Sequence, residues 1–230
     1  MKIILCLCIF PGILLAANFS DNFDEYSPSD DLGDSIYWLR LDPGGNLVAA
    51  DDSGNMIVEA IWNTYNYMAY ACLGSLVWSD GEISTDIRFN GTETVFGLLA
   101  RVNPLTGECY IGGIYPVYPP IGATVIVYVN TTGDFTILAN DYFYPLNENT
   151  WYNMSFEVTG SNPVNLKVSI DGTANSEVQD STYDLNTGMA GLGGSYEGAA
   201  PTFHLDNFSV LDYASDLAST TFGGIKALFR

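Results

Sequence analysis

Short segments in which apolar and polar residues alternate are the feature that most constrains the fold of this chain. In residues 82–89, the side chains of Ile83, Ile87 and Phe89 fall on one side of an extended segment, opposite polar residues. Residues 151–158 alternate in the same way. Because successive side chains of a strand point to opposite faces, this pattern predicts strands with one face in a core and the other in water.

Turn residues separate many such segments. Asp171-Gly172 follows the inward row Leu166, Val168 and Ile170 and is a strong hairpin signal, and Asn130–Gly133 separates two further segments. Strands are also expected at Tyr37–Leu41, Leu47–Ala50, Met56–Ile61, Tyr67–Val77, Val95–Val102, Cys109–Tyr115 and Gly188–Gly194. This number of short strands predicts an all-β, antiparallel two-sheet β-sandwich or jelly roll.

The two ends of the chain differ from this pattern. Residues 1–17 combine Lys2, an apolar run and a small-residue site ending at Ala17, which predicts a secretory signal peptide and an extracellular or cell-surface protein. Residues 18–213 are then one β-sandwich domain, and residues 214–230 a C-terminal tail. The tail places three large apolar residues at helix-like spacing, so it is either a sorting or docking segment or a frayed terminus packed on the sandwich.

The chain is strongly acidic. It has 27 Asp and Glu against 7 Lys and Arg, for a formal net charge of −20. Such a field repels nucleic acid and anionic lipid, so neither is expected as a partner, and no membrane insertion is expected. Neutral polymers and cations remain as partners.

The last strand changes phase within its length. Phe203 and Leu205 share one face, whereas Phe208 and Val210 have the opposite parity. A β-bulge near Asp206 and the following Asn would reconcile the two halves and turn Asp206 away from the core.

Two segments near the ends of the domain nearly repeat one another. Ser20–Asp24 reads Ser-Asp-Asn-Phe-Asp and Leu205–Val210 reads Leu-Asp-Asn-Phe-Ser-Val, the second following the small residues of Gly188–Gly194. This layout resembles the concanavalin A-like (laminin G/β-glucanase) jelly rolls, whose first and last strands lie side by side. The resemblance implies that residues 19–24 pair beside residues 203–211.

The catalytic motif of the enzymes with this fold is missing. β-Glucanases of this class carry Glu-x-Asp-x-x-Glu on one strand, and the nearest segment here, Glu82 to Asp86, has the wrong order and lacks the second Glu. His204 is the only histidine, which excludes a His-based metal cluster. The resemblance therefore implies a module that binds carbohydrate or another surface polymer without catalysis. The alternatives are a glycan-active hydrolase or lyase that uses other acids, and a structural or adhesive module.

Exposed aromatic rings are the candidates for a glycan site, because sugar C–H faces stack on them. Two groups attract attention: Trp62 with Trp78, and Tyr115 with Tyr118 in a proline-rich segment. Trp151 takes the solvent-facing parity of its strand. The alternative for any of these rings is a place in the core.

A structural Ca²⁺ is implied by the resemblance. In laminarinase-like members the first and last strands together hold calcium, and the match places Asn22 and Asp206 on the ligand positions. Amide, carboxylate and carbonyl oxygens suit this ion. The alternative is that Asp206 only hydrogen-bonds backbone at the bulge.

Cys72 and Cys109 are the cysteines that remain after the expected cleavage. An exported chain with one pair permits a disulfide between them. Two buried thiols on separate strands are the equal alternative.

Overall fold

The computed structural model describes residues 18–62, 67–73, 78–92, 94–118, 121–183, 185–196 and 202–213. The expected signal peptide, residues 1–17, and the expected tail, residues 214–230, lie outside the described residues. The side chain of Tyr118 does too, although its backbone belongs to a strand.

In this part of the chain, fifteen strands and one short 3₁₀ helix (Leu32–Asp34) follow one another. The strands are β1 Phe19–Asp21, β2 Trp38–Pro43, β3 Gly45–Asp52, β4 Asn55–Trp62, β5 Tyr67–Cys72, β6 Gly81–Asn90, β7 Thr94–Val102, β8 Cys109–Tyr118, β9 Ile121–Val129, β10 Phe135–Pro145, β11 Tyr152–Thr159, β12 Val164–Ile170, β13 Thr173–Asp180, β14 Met189–Tyr196 and β15 Thr202–Asp212. Among the same residues, no helix is long and apolar enough to cross a membrane.

The strands form two antiparallel sheets. The eight-stranded sheet has the order β13-β12-β11-β6-β15-β4-β3, with β1 added beside β15. The seven-stranded sheet has the order β10-β9-β8-β7-β14-β5-β2. The two-sheet all-β architecture expected from the alternating segments is confirmed.

The first and last strands lie side by side, as the repeated segments implied. Phe19 pairs with Val210 and Asp21 with Phe208. The register of β15 against β6 shifts between Asp206 and Ser209, which confirms the bulge. Asn207 takes a left-handed φ of 52°, a conformation that Asn tolerates better than most residues.

The main core lies between the sheets. The inward rows expected on β6, β11 and β12 are all buried there. At the hairpin between β12 and β13, Asp171 and Gly172 have φ values of 49° and 74°. Two successive positive φ values match the right-handed twist of the flanking strands, so the turn residues set this register.

The glycines before the last strand allow neighbouring strands to approach closely. A Cβ on Gly191 would lie 2.0 Å from the backbone oxygen of Tyr70, and one on Gly194 would lie 2.0 Å from that of Val95. Strand β14 therefore needs glycine to fit between β5 and β7.

Candidate functional site

The outer face of the seven-stranded sheet is apolar. Its outward residues on β5, β7, β8, β9 and β14 form or border a second apolar cluster, which includes Leu99, Ile111 and Val125, each at most 1% exposed. Outward residues that are described on these strands are Tyr67, Ala69, Ala71, Val95, Gly97, Leu99, Val102, Cys109, Ile111, Gly113, Tyr115, Ala123, Val125, Val127, Val129, Met189, Gly191, Gly193 and Ser195. None of these side chains is a carboxylate.

This sheet is strongly curved, so side chains of strands that are not neighbours contact each other on its outer face. The Tyr67 hydroxyl lies 3.1 Å from Cys109 Sγ, although β14 and β7 separate their strands. The Tyr67 ring also packs edge-on against Phe135 of β10, with ring centroids 5.7 Å apart. The curled sheet therefore buries the second cluster, and burial raises the pKa of the Cys109 thiol to about 12.

The aromatic residues proposed from the sequence are not brought together. Trp78 is only 2% exposed, which removes it as a stacking platform. Trp62, at the end of β4, packs edge-on against Phe96 and borders the main core. Tyr115 borders the second cluster on the outer face of the other sheet.

The optional disulfide is contradicted by the structure. Cys72 lies on β5 and belongs to the main core, whereas Cys109 lies on β8 and belongs to the second cluster. The two side chains are on opposite faces of one sheet, with two strands between them. A disulfide needs Cβ atoms about 4 Å apart, which this placement does not allow.

Asn22 and Asp206 are each engaged with other residues. The Asn22 side-chain amide donates to Asp24 over 2.7 Å. Asp206 accepts from the side-chain amide of Asn55 over 2.9 Å and from the backbone N–H of Asn207 over 2.7 Å. The Asn22 bond uses its side-chain nitrogen rather than the oxygen that calcium would need. The Asp206 bond to the backbone of Asn207 is the one at the bulge that the alternative described.

The outer face of the eight-stranded sheet is polar instead. Five serines stand in register on neighbouring strands: Ser20, Ser209, Ser84, Ser155 and Ser169. The hydroxyls of Ser84 and Ser209 lie 2.7 Å apart. This row crosses β1, β15, β6, β11 and β12.

A row of acidic and amide side chains lies beside the serines. Asp86 and Asp206 are directly opposite each other on β6 and β15. Asp86 accepts from the side-chain amides of Asn153, over 3.0 Å, and Asn207, over 2.9 Å. Like charges placed opposite each other destabilise a sheet, and these amide donors offset that repulsion.

A shallow cavity of about 460 Å³ lies on this face at the β11–β13 edge. Glu157, Lys167 and Glu177 are neighbours in one row across it, and Lys167 forms an ion pair with Glu157. The hydrogen bond to Glu157 raises the pKa of Lys167. The row therefore has two carboxylates against one ammonium group.

Trp151 lies on the same polar face, at the start of β11, and is 37% exposed. The guanidinium carbon of Arg88 lies 4.7 Å from the centroid of its ring, which is cation–π geometry. We call Trp151, Arg88, His204, Asp52 and Glu59 the Trp151 cluster.

Arg88 is held by two further partners. Its Nε and Nη2 atoms lie 3.1 and 2.7 Å from His204 Nδ1, and Nη2 lies 3.0 Å from the Asp52 carboxylate. Arginine can only donate, so His204 Nδ1 accepts and the neutral ring carries its proton on Nε2. Burial first, and then the Arg88 charge, lower the pKa of His204.

The tip of the β3–β4 hairpin lies against this face. Asp52 contacts Arg88, and Asn55 donates to Asp206. The sequence had placed Trp151 on the solvent side but had not connected it with Arg88 and His204. Those two share the solvent-facing parity of β6 and β15 and are directly opposite in the register, which is the signal that links them.

Comparisons with known proteins find solved structures with a similar fold, but no match at the level of sequence. No family model and no curated protein matches the chain. A carbohydrate-binding module from Bacillus subtilis is similar in structure at a TM-score of 0.54 and 14% identity, covering 76% of this chain and 95% of that one. A β-glucanase from Bacillus licheniformis has a TM-score of 0.53 and 13% identity, with 84% and 96% covered. The LamA catalytic domain from Zobellia galactanivorans has a TM-score of 0.55 and 11% identity, with 84% and 96% covered. At these identities the similarity shows the fold alone.

Proposed function

We propose that this concanavalin A-like jelly roll is a secreted module that binds carbohydrate without cleaving it. The solved structures that share its fold include a carbohydrate-binding module and glucanases, which supports a glycan ligand. The observation that carries the choice of binding over cleavage is the lack of carboxylates among the described outward residues of β5, β7, β8, β9 and β14.

Glycoside hydrolysis needs a pair of carboxyl groups that flank the scissile bond, about 5 Å apart in retaining enzymes and up to about 9.5 Å in inverting ones. A face made of Ala, Gly, Val, Leu, Ile, Met, Cys, Ser and Tyr offers no proton donor of this kind near neutral pH. On the opposite face, the paired Asp86 and Asp206 are bonded to amides, Glu157 is bonded to Lys167, and Asp52 is paired with Arg88.

The test uses the mature chain, residues 18–230, on a glycan array and in a reducing-sugar assay with β-glucans. We expect binding to at least one glycan and no sugar release. Release that one Asp or Glu substitution abolishes would establish the hydrolase alternative, and eliminative cleavage with a new unsaturated end would establish a lyase. Failure to bind any glycan, with no release, would favour the structural or adhesive alternative.

Export is the second part of the proposal and rests on residues 1–17. The full chain, expressed in a secreting host, should appear outside the cytoplasm with its N-terminus near Asn18. N-terminal sequencing of the exported protein checks this. Retention in the cytoplasm with Met1 intact would contradict it.

A further inference from the structure

We propose that the carbohydrate binds on the outer face of the eight-stranded sheet, with a neutral pyranose ring stacked on Trp151. This site rests on the proposed function and goes beyond it, since it places the ligand on the sheet opposite the curled apolar face. On the curled face, Tyr67 and Cys109 contact each other and the residues of the second cluster are buried.

Trp151 is the most exposed of the four tryptophans. All four tryptophans belong to the described residues. Trp38 and Trp78 are each 2% exposed, and Trp62 packs against Phe96 at the border of the main core. Trp151 keeps 37% of its surface exposed although Arg88 covers part of it. We infer that the ring face opposite Arg88 is the one that meets the ligand.

The ring is held in position before any ligand arrives. Arg88 packs on it, and His204 and Asp52 in turn fix the Arg88 guanidinium at 2.7–3.1 Å. A side chain that is already ordered loses little conformational freedom on binding, so more of the contact energy appears as affinity. An isolated surface tryptophan would lack this support.

Polar groups lie on the same face as the platform and extend away from Arg88 across the neighbouring strands. Asp52 and Glu59 supply carboxylate acceptors for ring hydroxyls, and Glu59 lies opposite His204 in the register. An apolar ring with a few polar groups beside it is the general composition of small-molecule sites. The Trp151 cluster therefore suits a ligand with one C–H face and several hydroxyls.

Charge selects the class of glycan. The Trp151 cluster has two carboxylates against one guanidinium, with His204 neutral, and the chain has a net charge of −20. Uronic acid and sulfated polymers would enter a repulsive field. Neutral glycans, such as glucose-based polymers, do not.

The experiment measures affinity by calorimetry for a neutral oligosaccharide chosen from the array. We expect Trp151→Ala to weaken binding by about tenfold or more, the loss typical of a central aromatic contact. Trp151→Phe should retain most of the affinity because it keeps a stacking ring. Tyr142→Ala is the matched control, since Tyr142 is 41% exposed on β10 of the other sheet, and it should bind like wild type. Circular dichroism and the melting temperature of each variant establish that it is folded.

The possible outcomes separate this site from the proposed function. If wild type binds no glycan, the proposed function fails. If wild type binds and a folded Trp151→Ala variant binds equally well, glycan binding holds but this site is wrong. Equal loss in Tyr142→Ala would also overturn the site. A uronate-containing oligosaccharide of the same length should bind more weakly, and tighter binding would overturn the neutral class.

Discussion

At the scale of single residues, His204 couples the Trp151 cluster to pH. Burial, and then the Arg88 charge, lower the pKa of His204, while Glu59 and Asp52 act in the opposite direction. An unperturbed histidine titrates near pH 6.5, so the unfolded chain takes up a proton before the folded one. The unfolded state binds more protons below this pH. The contribution of His204 to the free energy of unfolding is therefore fully present above about pH 6.5. It is lost as the pH falls toward the lowered pKa of His204 in the folded state.

This predicts that the free energy of unfolding of wild type decreases between pH 7 and 5 more than that of His204→Gln. The Gln side-chain oxygen can still accept from Arg88 but does not titrate. Urea unfolding across this pH range measures the free energy of unfolding of both proteins. The difference between them separates the effect of His204 from that of the carboxylates. Identical pH dependence in the two proteins would show that His204 contributes nothing.

Calcium binding at Asn22 and Asp206 stays a prediction, to be tested against the bonds that these residues make. If calcium binds there, it competes with Asn55 for the Asp206 carboxylate, and affinity should fall in the weak range of about 10⁻⁴ to 10⁻³ M. Millimolar calcium should then raise the melting temperature of wild type but not of Asp206→Ala. Equal shifts in both, or a shift in neither, would mean that Asp206 only stabilises the bulge.

At the scale of strands, glycine decides where the two sheets approach each other. A Cβ on Gly112 of β8 would lie 2.4 Å from the Phe156 ring of β11 and 2.8 Å from Val168 of β12. Gly112→Ala should therefore destabilise the protein by about 1–3 kcal/mol through overpacking, measured by urea unfolding. Phe156→Leu should cost stability by itself, yet the double variant should cost less than the sum, because the smaller side chain accommodates the new methyl. Additive losses would contradict direct contact as the cause.

Strand-level prediction from the sequence succeeded where one face of a strand meets water. The alternation in β6 and β11 and the Asp171-Gly172 turn gave the core rows and a hairpin, and the phase change gave the bulge. For β5, expected at 67–77, the structure gives a strand over Tyr67–Cys72, and residues 74–77 of that expectation lie outside the described residues. Every residue of β5 is buried, so its sequence has no alternation of polar and apolar residues to mark where the strand ends.

The site was harder to predict than the strands, for a physical reason. Whether Trp78 or Trp151 is exposed depends on which strands flank each ring, and hydrophobicity alone does not distinguish a core tryptophan from a surface one. The Trp151 cluster unites residues from β3, β4, β6 and β15 with the start of β11. Only the register of the folded sheet brings these segments together.

At the scale of the whole molecule, Arg101 ties the ends of both sheets. It is fully buried at the end of β7 and donates to the backbone oxygens of Ser79, Gly160 and Leu185 over 2.6–2.9 Å. It also contacts the Asp80 carboxylate at 3.0 Å. These acceptors lie in connections next to β6, β11 and β14, so one side chain joins segments from the two sheets.

Arg101→Met should therefore destabilise the protein by about 3 kcal/mol or more, since it keeps an apolar stem but leaves buried oxygens without a donor. Arg40→Met is the matched control. Arg40 is about one third exposed, lies 3.5 Å from Asp31 and donates to the backbone oxygen of Gly45 over 3.0 Å, so its loss should cost about 1–2 kcal/mol, less than the loss of Arg101. Urea unfolding of both variants and wild type gives the comparison. If Arg101→Met unfolds within about 1 kcal/mol of wild type, a difference typical of surface changes, water replaces the guanidinium and the sheets do not depend on it.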